Sequence, residues 1–281
     1  MLDRAVQILS DLVDPPGSQE IEARVERVSR DVNAFGYDRW GFSPEAAKKI
    51  VRLAAWLYRR YFRVQAHGIK NVPAGRGVLV GNHSSQLAYD GMLVATAMLI
   101  DADPPRAVRA MIEKFFQHVP FANVLMARSG QLTGLPENCR RLLEQDELIM
   151  IFPEGARGSG KTYWHRYQLE RFGTGFVRLA LQTRSPIVPF GFIGGEEICP
   201  SFGNLAPLAR LLGTPYAPLT PLLLPLPLPA KCAIYFGEPL RFAGTGDEED
   251  HEIEGHVAEV EASVRRLVER GLSERKGIFF G

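Results

Sequence analysis

Cysteine is scarce in this chain. The 281 residues include three cysteines, Cys139, Cys199 and Cys232, and no two of them form a CxxC pair. An odd number of widely separated cysteines argues against a disulfide-stabilised scaffold and against a zinc site. It fits a protein that works in a reducing cytoplasm.

The sequence also lacks an excess of charge of one sign. Its 33 basic and 32 acidic residues give a formal net charge of +1. No global electrostatic field attracts nucleic acid, so we expect no nucleic-acid partner. Any anion that binds must meet a local cluster of basic side chains.

Long apolar runs are missing as well. No stretch of about 18 uninterrupted apolar residues occurs, so we expect no transmembrane helix. The first residues, MLDRAVQILSDLVDPPG, carry acidic residues within an apolar stretch and lack the core of a signal peptide. Any contact with a membrane is therefore predicted at its surface.

What is present is the pattern of a globular α/β protein. With 46% hydrophobic and 23% charged residues, the chain has enough apolar material for a substantial core. Residues 1–62 are predicted as an N-terminal helical region, and residues 63–281 as an α/β domain in which short apolar segments alternate with helical ones. We expect a mixed, largely parallel sheet flanked by helices.

The predicted elements follow from hydrophobic periodicity and from turn residues. Helices are predicted at 2–13, 19–34, 44–62, 87–100, 136–146, 173–184 and 250–270. Strands are predicted at 63–67, 77–81, 107–112, 123–127, 148–152, 186–193 and 231–236.

The helix predicted at 44–62 is basic and amphipathic. Its cations share one arc of the helix with Trp56; they are Lys48, Lys49, Arg52, Arg59, Arg60 and Arg63. This pattern is typical of a helix that lies on a membrane surface. The same pattern arises when the apolar face packs on a sheet and the cations are solvated, and both interpretations stay open.

A second candidate for membrane contact is the segment TPYAPLTPLLLPLPLPA, residues 214–230. Its prolines exclude a regular helix or a central strand. Its leucine-rich part, residues 219–228, indicates an apolar surface that meets lipid, a wall of an acyl pocket, or a loop that packs over a sheet edge.

His83 and Asp90 are the first candidates for chemistry. His83 follows the strand predicted at 77–81, and the carboxyl ends of strands in an α/β sheet open into the usual ligand crevice. If residues 83–90 are mostly helical, Asp90 lies two turns from His83 on the same face and can orient its imidazole as a general base. Ser84 points in another direction and is a poor nucleophile for its neighbour. A histidine at a strand end can equally be a capping group.

Other strand ends carry polar or glycine-rich sequences. An apolar strand ends in FPEGARG, which delivers Glu154, Gly155 and Arg157 to the carboxyl edge of the sheet. Arg128 follows another predicted strand, and the Gly194–Gly195 pair follows a third. Each loop alone is more simply a solvated turn, but together these loops predict a binding cleft.

The sequence blocks at these strand ends occur in a recognisable order: GNHSSQLAYD, ARSGQLTG, IFPEGARG and PIVPFGF. In this order they resemble the motif blocks of the glycerolipid acyltransferase superfamily, the lysophosphatidate acyltransferase-like proteins. The resemblance covers roughly residues 63–240. Its most specific part is the combination of FPEG with an upstream NH…D block.

The resemblance implies transfer of an acyl chain from an acyl thioester to a hydroxyl of a glycerolipid or lysophospholipid. It implies His83 as the general base, held and polarised by Asp90. It places Glu154, Gly155 and Arg157 at the acceptor, and Arg128 at a phosphate or polar headgroup.

The implied partners are an acyl donor, a lipid acceptor and a membrane surface. The donor is an acyl-CoA or an acyl carrier protein thioester used as co-substrate, with no bound cofactor or metal. Arg128, Arg157 and Lys161 could meet the acidic parts of such a donor, although Lys161 and Lys114 are more simply solvated surface lysines. We predict a cytoplasmic protein that is peripheral on the inner face of the cell membrane.

The spacing within the first block departs from the common family pattern. Six residues, Ser84 to Tyr89, separate His83 from Asp90, whereas the family commonly has four. Longer spacings resemble a branch of monoacylglycerol-type acyltransferases. A phosphate-bearing acceptor and a neutral acceptor are both open, as are two other functions: a thioester or lipid-ester hydrolase in the same pocket, and a non-catalytic lipid-binding module.

Overall fold

The computed structural model describes residues 17–29, 31–84, 88–113, 122–221 and 226–279. Helices α1 to α10 are, in chain order, Ser18–Val28, Pro44–Trp56, Tyr89–Ile100, Ala122–Arg128, Pro136–Glu144, Ala156–Ser159, Gly175–Thr183, Gly195–Ile198, Ala206–Leu212 and Asp250–Glu274. A π-helical turn, Leu57–Tyr61, extends α2, and 3-10 turns lie at Ile69–Asn71 and Tyr163–His165. Strands β1 to β7 are Gln65–His67, Gly77–Gly81, Val108–Ile112, Leu132–Thr133, Leu148–Ile151, Ile187–Ile193 and Ala233–Phe236.

These strands form one seven-stranded sheet in the order β1-β7-β6-β2-β5-β3-β4. The five strands from β6 to β4 run parallel to one another. Strand β7 is antiparallel to β6 and parallel to β1. The predicted fold class is therefore confirmed: a mixed, largely parallel sheet with flanking helices.

The central strand β2 is buried along its whole length because helices cover both faces of the sheet. Its side chains alternate between two cores. Leu79 packs in the core with α1, α2 and α3, whereas Val78 and Val80 pack in the core with α5, α7 and α10. A continuous apolar run is the sequence that such a doubly covered strand requires.

The N-terminal helices belong to the first of these cores. Ile21 and Val25 of α1 and Ala55 of α2 are buried together with Leu79 of β2. Helix α2 begins as its sequence predicts, with Ser43 Oγ accepting a hydrogen bond from the Ala46 N–H at 3.4 Å and proline in the first turn. The described part of the predicted N-terminal helical region is thus continuous with the core of the α/β domain.

Some predicted elements are corrected by the structure. The strand predicted at 123–127 is helix α4, because a short apolar run cannot by itself distinguish strand from buried helix. The helix predicted at 19–34 ends at Val28, where Ser29 adopts an extended conformation. The helix predicted at 2–13 lies outside the described residues.

The proline-rich segment behaves as its composition predicts. Its described residues, 214–221 and 226–230, form no helix or strand beyond an isolated bridge between Asn204 and Pro218. Across the described ranges of the chain, no helix combines the length and the apolarity needed to cross a bilayer.

Candidate active site

The register of two neighbouring strands brings the main motif loops together. Val80 of β2 pairs with Ile151 of β5. His83 follows Val80 by three positions, and Glu154 follows Ile151 by three positions. Because β2 and β5 are parallel, both loops leave the same edge of the sheet, and the His83 N–H donates a 2.8 Å hydrogen bond to Glu154 Oε1.

His83 and Asp90 form the predicted pair. His83 Nδ1 lies 2.7 Å from Asp90 Oδ2. A carboxylate on Nδ1 fixes the imidazole with its proton on that nitrogen and leaves Nε2 as the acceptor. The imidazole stacks on the Phe152 ring, with centroids 4.3 Å apart, and its side chain keeps 14% of its surface exposed. The ring is thus oriented and still accessible.

The backbone geometry that brings His83 and Asp90 together differs from the predicted continuous helix. His83 lies in the loop after β2, and α3 begins only at Tyr89, so the two residues do not share a helix. Asp90 reaches back to His83 from the first turn of α3. One backbone N–H at this helix start is also committed, because the Gly91 N–H donates to Asp90 Oδ1 at 2.8 Å.

The Asp90 carboxylate is fully buried but well supported. It accepts hydrogen bonds from the backbone N–H groups of Ser84 and Gly91, both at 2.8 Å, besides its contact with His83. Burial alone would raise the pKa of Asp90, but the charge and hydrogen bond of His83 and the two N–H donors outweigh it. The pKa of Asp90 therefore lies below its ordinary value. Asp90 is ionised at neutral pH and suited to hold an imidazole.

Glu154 is buried and fully engaged with protein donors. Its Oε1 accepts from the His83 N–H, and its Oε2 accepts from Lys161 Nζ at 3.0 Å and from the Glu170 N–H at 2.8 Å. The carboxylate thereby joins the His83 loop to the FPEGARG loop. This geometry favours a positioning role for Glu154 over the predicted contact with an acceptor.

Lys161 is not the solvated surface lysine that its sequence position suggested. Its side chain is 3% exposed, and Nζ donates to Glu154 Oε2 and to the Gln168 carbonyl at 2.8 Å. Glu196 lies 3.7 Å away, and burial raises the pKa of Glu196 to about 8 although Lys161 opposes this shift. Lys161 therefore balances the charge of Glu154 inside the protein.

We expect Lys161→Met to lower the free energy of unfolding by about 3–5 kcal/mol, because it leaves the buried Glu154 charge without its partner. Urea unfolding followed by circular dichroism measures this change. Lys49→Met is the matched control, since Lys49 is exposed on α2 and such changes usually stay within about 0.5 kcal/mol. Equal unfolding midpoints for the two variants would contradict this account of the pair.

Two glycines of the FPEGARG loop are required by close packing. Gly155 has φ of +60°, and a Cβ there would approach Glu113 Oε1 to 3.2 Å. A Cβ on Gly158 would lie 2.6 Å from Glu154 Cβ and 3.0 Å from His83 Cβ. Sequence reasoning selected Gly155 and missed Gly158, together with the stacking ring of Phe152; the glycine-rich run GARGSG was the available signal.

The two arginines selected from the sequence lie in different surroundings. Arg157 is exposed on α6 in the FPEGARG loop, with its guanidinium donating to the Arg171 carbonyl at 3.1 Å. Arg128 ends α4 instead of a strand, and its guanidinium stacks on the Tyr37 ring at 3.5 Å and donates to the Gly41 carbonyl. The predicted location of Arg128 at the carboxyl end of a strand is therefore wrong.

Ser84 is buried behind the histidine. Within the described part of the chain its hydroxyl has no hydrogen-bond partner, and a Cβ on Gly195 would lie 2.0 Å from it. The hydroxyl is thus not bonded to the His83 ring, in agreement with the prediction that Ser84 is a poor nucleophile. Among the described residues, no cluster of three or more His, Cys, Asp or Glu side chains could hold a metal ion.

An open pocket of about 440 Å³ borders the FPEGARG loop. Its lining includes Glu113 at the end of β3, Ala156 two residues beyond Glu154, and Thr214 and Pro215 of the proline-rich segment. This volume lies within the range of small-molecule sites. A substrate there would contact the carboxyl edge of the sheet and the proline-rich segment together.

Comparison with known proteins shows the family. The family model described as Acyltransferase matches residues 63–193. An uncharacterized protein of Mycobacterium tuberculosis (strain ATCC 25618 / H37Rv) is 36% identical over 260 residues, which cover 88% of this chain and 72% of that protein. The chain belongs to the acyltransferase family. An uncharacterized protein of Mycobacterium leprae (strain TN) matches it similarly, with 36% identity over 261 residues, 88% of this chain and 71% of that protein.

A solved structure has the same fold as this acyltransferase. The crystal structure of the 1-acyl-sn-glycerophosphate (LPA) acyltransferase PlsC from Thermotoga maritima matches with a TM-score of 0.55, covering 92% of this chain and 98% of that one. The identity is 16%, so this likeness concerns the architecture. Together the family match and the shared fold confirm the resemblance to the glycerolipid acyltransferase superfamily. The matched span, residues 63–193, contains both His83 and Glu154.

Proposed function

We propose that this acyltransferase moves an acyl chain from an acyl thioester to a hydroxyl of a glycerolipid or lysophospholipid. The observation that carries the proposal is the 2.7 Å contact between His83 Nδ1 and the buried Asp90 carboxylate, which leaves Nε2 as a base. The loop that bears His83 is bonded through Glu154 to the FPEGARG loop, which borders the pocket. Base, orienting group and binding space thus share one edge of the sheet.

In the proposed reaction His83 accepts one proton and later donates it again. His83 Nε2 takes the proton of the acceptor hydroxyl as its oxygen attacks the thioester carbonyl carbon. The C–O bond forms, the C–S bond breaks, and the proton passes from the imidazolium to the departing thiolate. Asp90 stabilises the imidazolium, and general-base catalysis of this kind is typically worth about 10²–10⁴-fold.

The structure also guides which residues we assign to substrates. We assign Arg157 to an anionic group of the donor or the acceptor, because it is exposed on the loop that lines the pocket. We assign Glu154 and Gly155 to holding that loop in place. Arg128 stays a candidate for a headgroup only if its stacking on Tyr37 is broken. Lys114 lies outside the described residues.

We place this reaction at a membrane surface, on the inner face of the cell membrane, with the protein peripheral. Acyl-chain substrates reside in bilayers, which supports this placement. The three cysteines are free and buried, which fits a reducing compartment. The donor is proposed to be an acyl-CoA or an acyl carrier protein thioester, bound as a co-substrate.

Incubation with radiolabelled acyl-CoA and a panel of acceptors tests the proposal. We expect a labelled lipid product with lysophosphatidate, another lysophospholipid or monoacylglycerol, and thiol release that depends on the acceptor. The identity of the product distinguishes phosphate-bearing from neutral acceptors. Thiol release at the same rate without any acceptor would instead establish a hydrolase that uses water in the same pocket.

A further inference from the structure

Residues 199–230, most of the segment between α8 and β7, have an unusual charge content. They include one charged residue, Arg210, and no acidic residue. The neighbouring stretch 155–169 also lacks acidic residues, and it carries Arg157, Arg166 and the buried Lys161. In a chain with nearly equal numbers of acids and bases, these two stretches form a region of one sign.

The same region exposes large apolar side chains. We define the apolar patch as Trp164, Phe202, Leu205, Leu208 and Leu219, which are exposed in the structure. Trp164 is the most exposed, at 66%, and its ring contacts the Phe202 ring with centroids 5.9 Å apart. The Phe202 N–H bonds the Leu219 carbonyl at 2.9 Å, and Leu205 and Leu208 are one turn apart at the start of α9. Because the Leu205 N–H also bonds the Ala217 carbonyl at 2.8 Å, the patch residues lie on neighbouring, hydrogen-bonded segments.

The apolar patch is rimmed by cations. Arg166 is exposed, with its guanidinium 4.7 Å from the centre of the Tyr163 ring, which in turn contacts Trp164. Arg210 is exposed on α9 beside the patch leucines. Aromatic and leucine side chains flanked by two arginines match a bilayer that contains anionic lipids, because the apolar groups enter the acyl region while the cations meet the headgroups.

One chain segment connects the apolar patch to the pocket. Thr214 and Pro215 line the pocket and lie between α9 and Leu219 in the chain. Tyr216 donates a 2.8 Å hydrogen bond to Ser159 Oγ of the FPEGARG loop. A lipid that leaves the bilayer at this patch would therefore reach the active-site loop along a single segment.

The alternative membrane element, α2, is less suited to this task. Lys48 lies 3.0 Å from Glu26 of α1, and Arg52 pairs with Glu22 of the same helix. These acids neutralise part of the basic arc that the sequence suggested for lipid. The structure thus assigns the cations of α2 partly to packing within the protein.

We propose that the apolar patch is the surface with which the protein docks on an anionic bilayer, so that lipid enters the pocket beneath α9. This inference rests on the proposed function for its biological meaning, but docking itself is measured without any turnover. A second copy of this chain is the competing occupant of such a face.

Co-sedimentation with phosphatidylcholine vesicles, with and without phosphatidylglycerol, tests the docking. We expect the wild-type protein to bind the mixed vesicles, and the double variant Leu205→Ser/Leu208→Ser to lose at least about tenfold in partitioning. The matched control is Leu53→Ser/Leu272→Ser, which removes two exposed leucines from α2 and α10 and should bind like wild type. Thermal melts verify that both double variants are folded.

Several outcomes would overturn the inference: no binding by wild type, equal binding by the patch variant, or loss of binding in the control alone. Concentration-dependent dimerisation that the patch variant abolishes would assign the face to a second copy instead. Failure of the proposed function is recognised separately. If the protein docks through the patch but acylates no acceptor, this inference stands and the proposed function is wrong. If it transfers acyl chains but its docking does not depend on the patch, the proposed function stands and this inference is wrong.

Discussion

Replacing His83 with alanine is expected to reduce the rate of acyl transfer by about 10²–10⁴-fold, the usual contribution of a general base. The variant removes the group whose Nδ1 contacts Asp90 and whose Nε2 is the proposed base. Its fold should persist, because Asp90 keeps two backbone N–H donors and the His83 N–H still reaches Glu154. Initial rates of labelled product formation at saturating donor measure the effect.

The control for this variant is His251→Ala. His251 is exposed in the first turn of α10 and belongs to neither core cluster. We expect wild-type rates from it, and unchanged far-ultraviolet circular dichroism from both variants. Wild-type turnover by a folded His83→Ala protein would eliminate the imidazole as the base and with it the proposed mechanism.

Gly158→Ala is expected to have the second largest effect, a loss of about 100-fold in kcat. The added methyl group would lie 2.6 Å from Glu154 Cβ and 3.0 Å from His83 Cβ. Both contacts are with Cβ atoms, which do not move when a side chain rotates. Relief of the clash therefore requires the two loops to move apart. A displacement of about 1 Å at the reacting groups can cost about 100-fold in rate.

Gly255→Ala provides the comparison. Gly255 lies within α10, and a Cβ there meets no atom within 4 Å. This variant should keep full activity, while Gly158→Ala should also lose about 1–3 kcal/mol of stability through overpacking. Steady-state kinetics and urea unfolding of the two variants measure these effects. Equal kcat values for the two variants would show that the reaction tolerates separation of the two loops.

The sequence predicted the central sheet well because its strands are buried on both faces. The run at 77–81 is β2 residue for residue, and the strands predicted at 148–152 and 186–193 are β5 and β6 with one residue removed from each. Continuous apolar segments bounded by turn residues have few other interpretations in an alternating α/β pattern. The turn residues at their carboxyl ends then indicated where chemistry would lie.

The elements that depend on tertiary context were predicted less well. The segment NVLMA gave a strand pattern but is helical in α4, so Arg128 packs against Tyr37 and not at the carboxyl edge. Lys161 looked like a surface lysine although its partner Glu154 lies only seven positions earlier, because its burial also depends on the segment with Glu196, 35 positions further along the chain. No local pattern contains the information that sets such long-range contacts.

The candidate pair was predicted correctly for a partly incorrect reason. A continuous helix from His83 to Asp90 would have placed them on one face, but the helix begins after the loop. The pairing survives because Asp90 lies in the first turn of α3 and faces the end of β2. A wider spacing than the common family pattern is thus compatible with a 2.7 Å contact between His83 Nδ1 and Asp90 Oδ2.

The carboxylate of Glu154 has a wider consequence for how this protein can diversify. Its hydrogen bonds connect the His83 loop to the FPEGARG loop, so that the two loops form one hydrogen-bonded unit. The segment that carries Tyr216 is joined to that unit by a hydrogen bond between the Tyr216 and Ser159 hydroxyls, and a bond between two neutral hydroxyls is more easily replaced than the bonds of a buried carboxylate. For the proposed reaction we therefore expect substitutions in the Tyr216 segment to alter the acyl length or headgroup that is used, with little effect on the contact between His83 and Asp90.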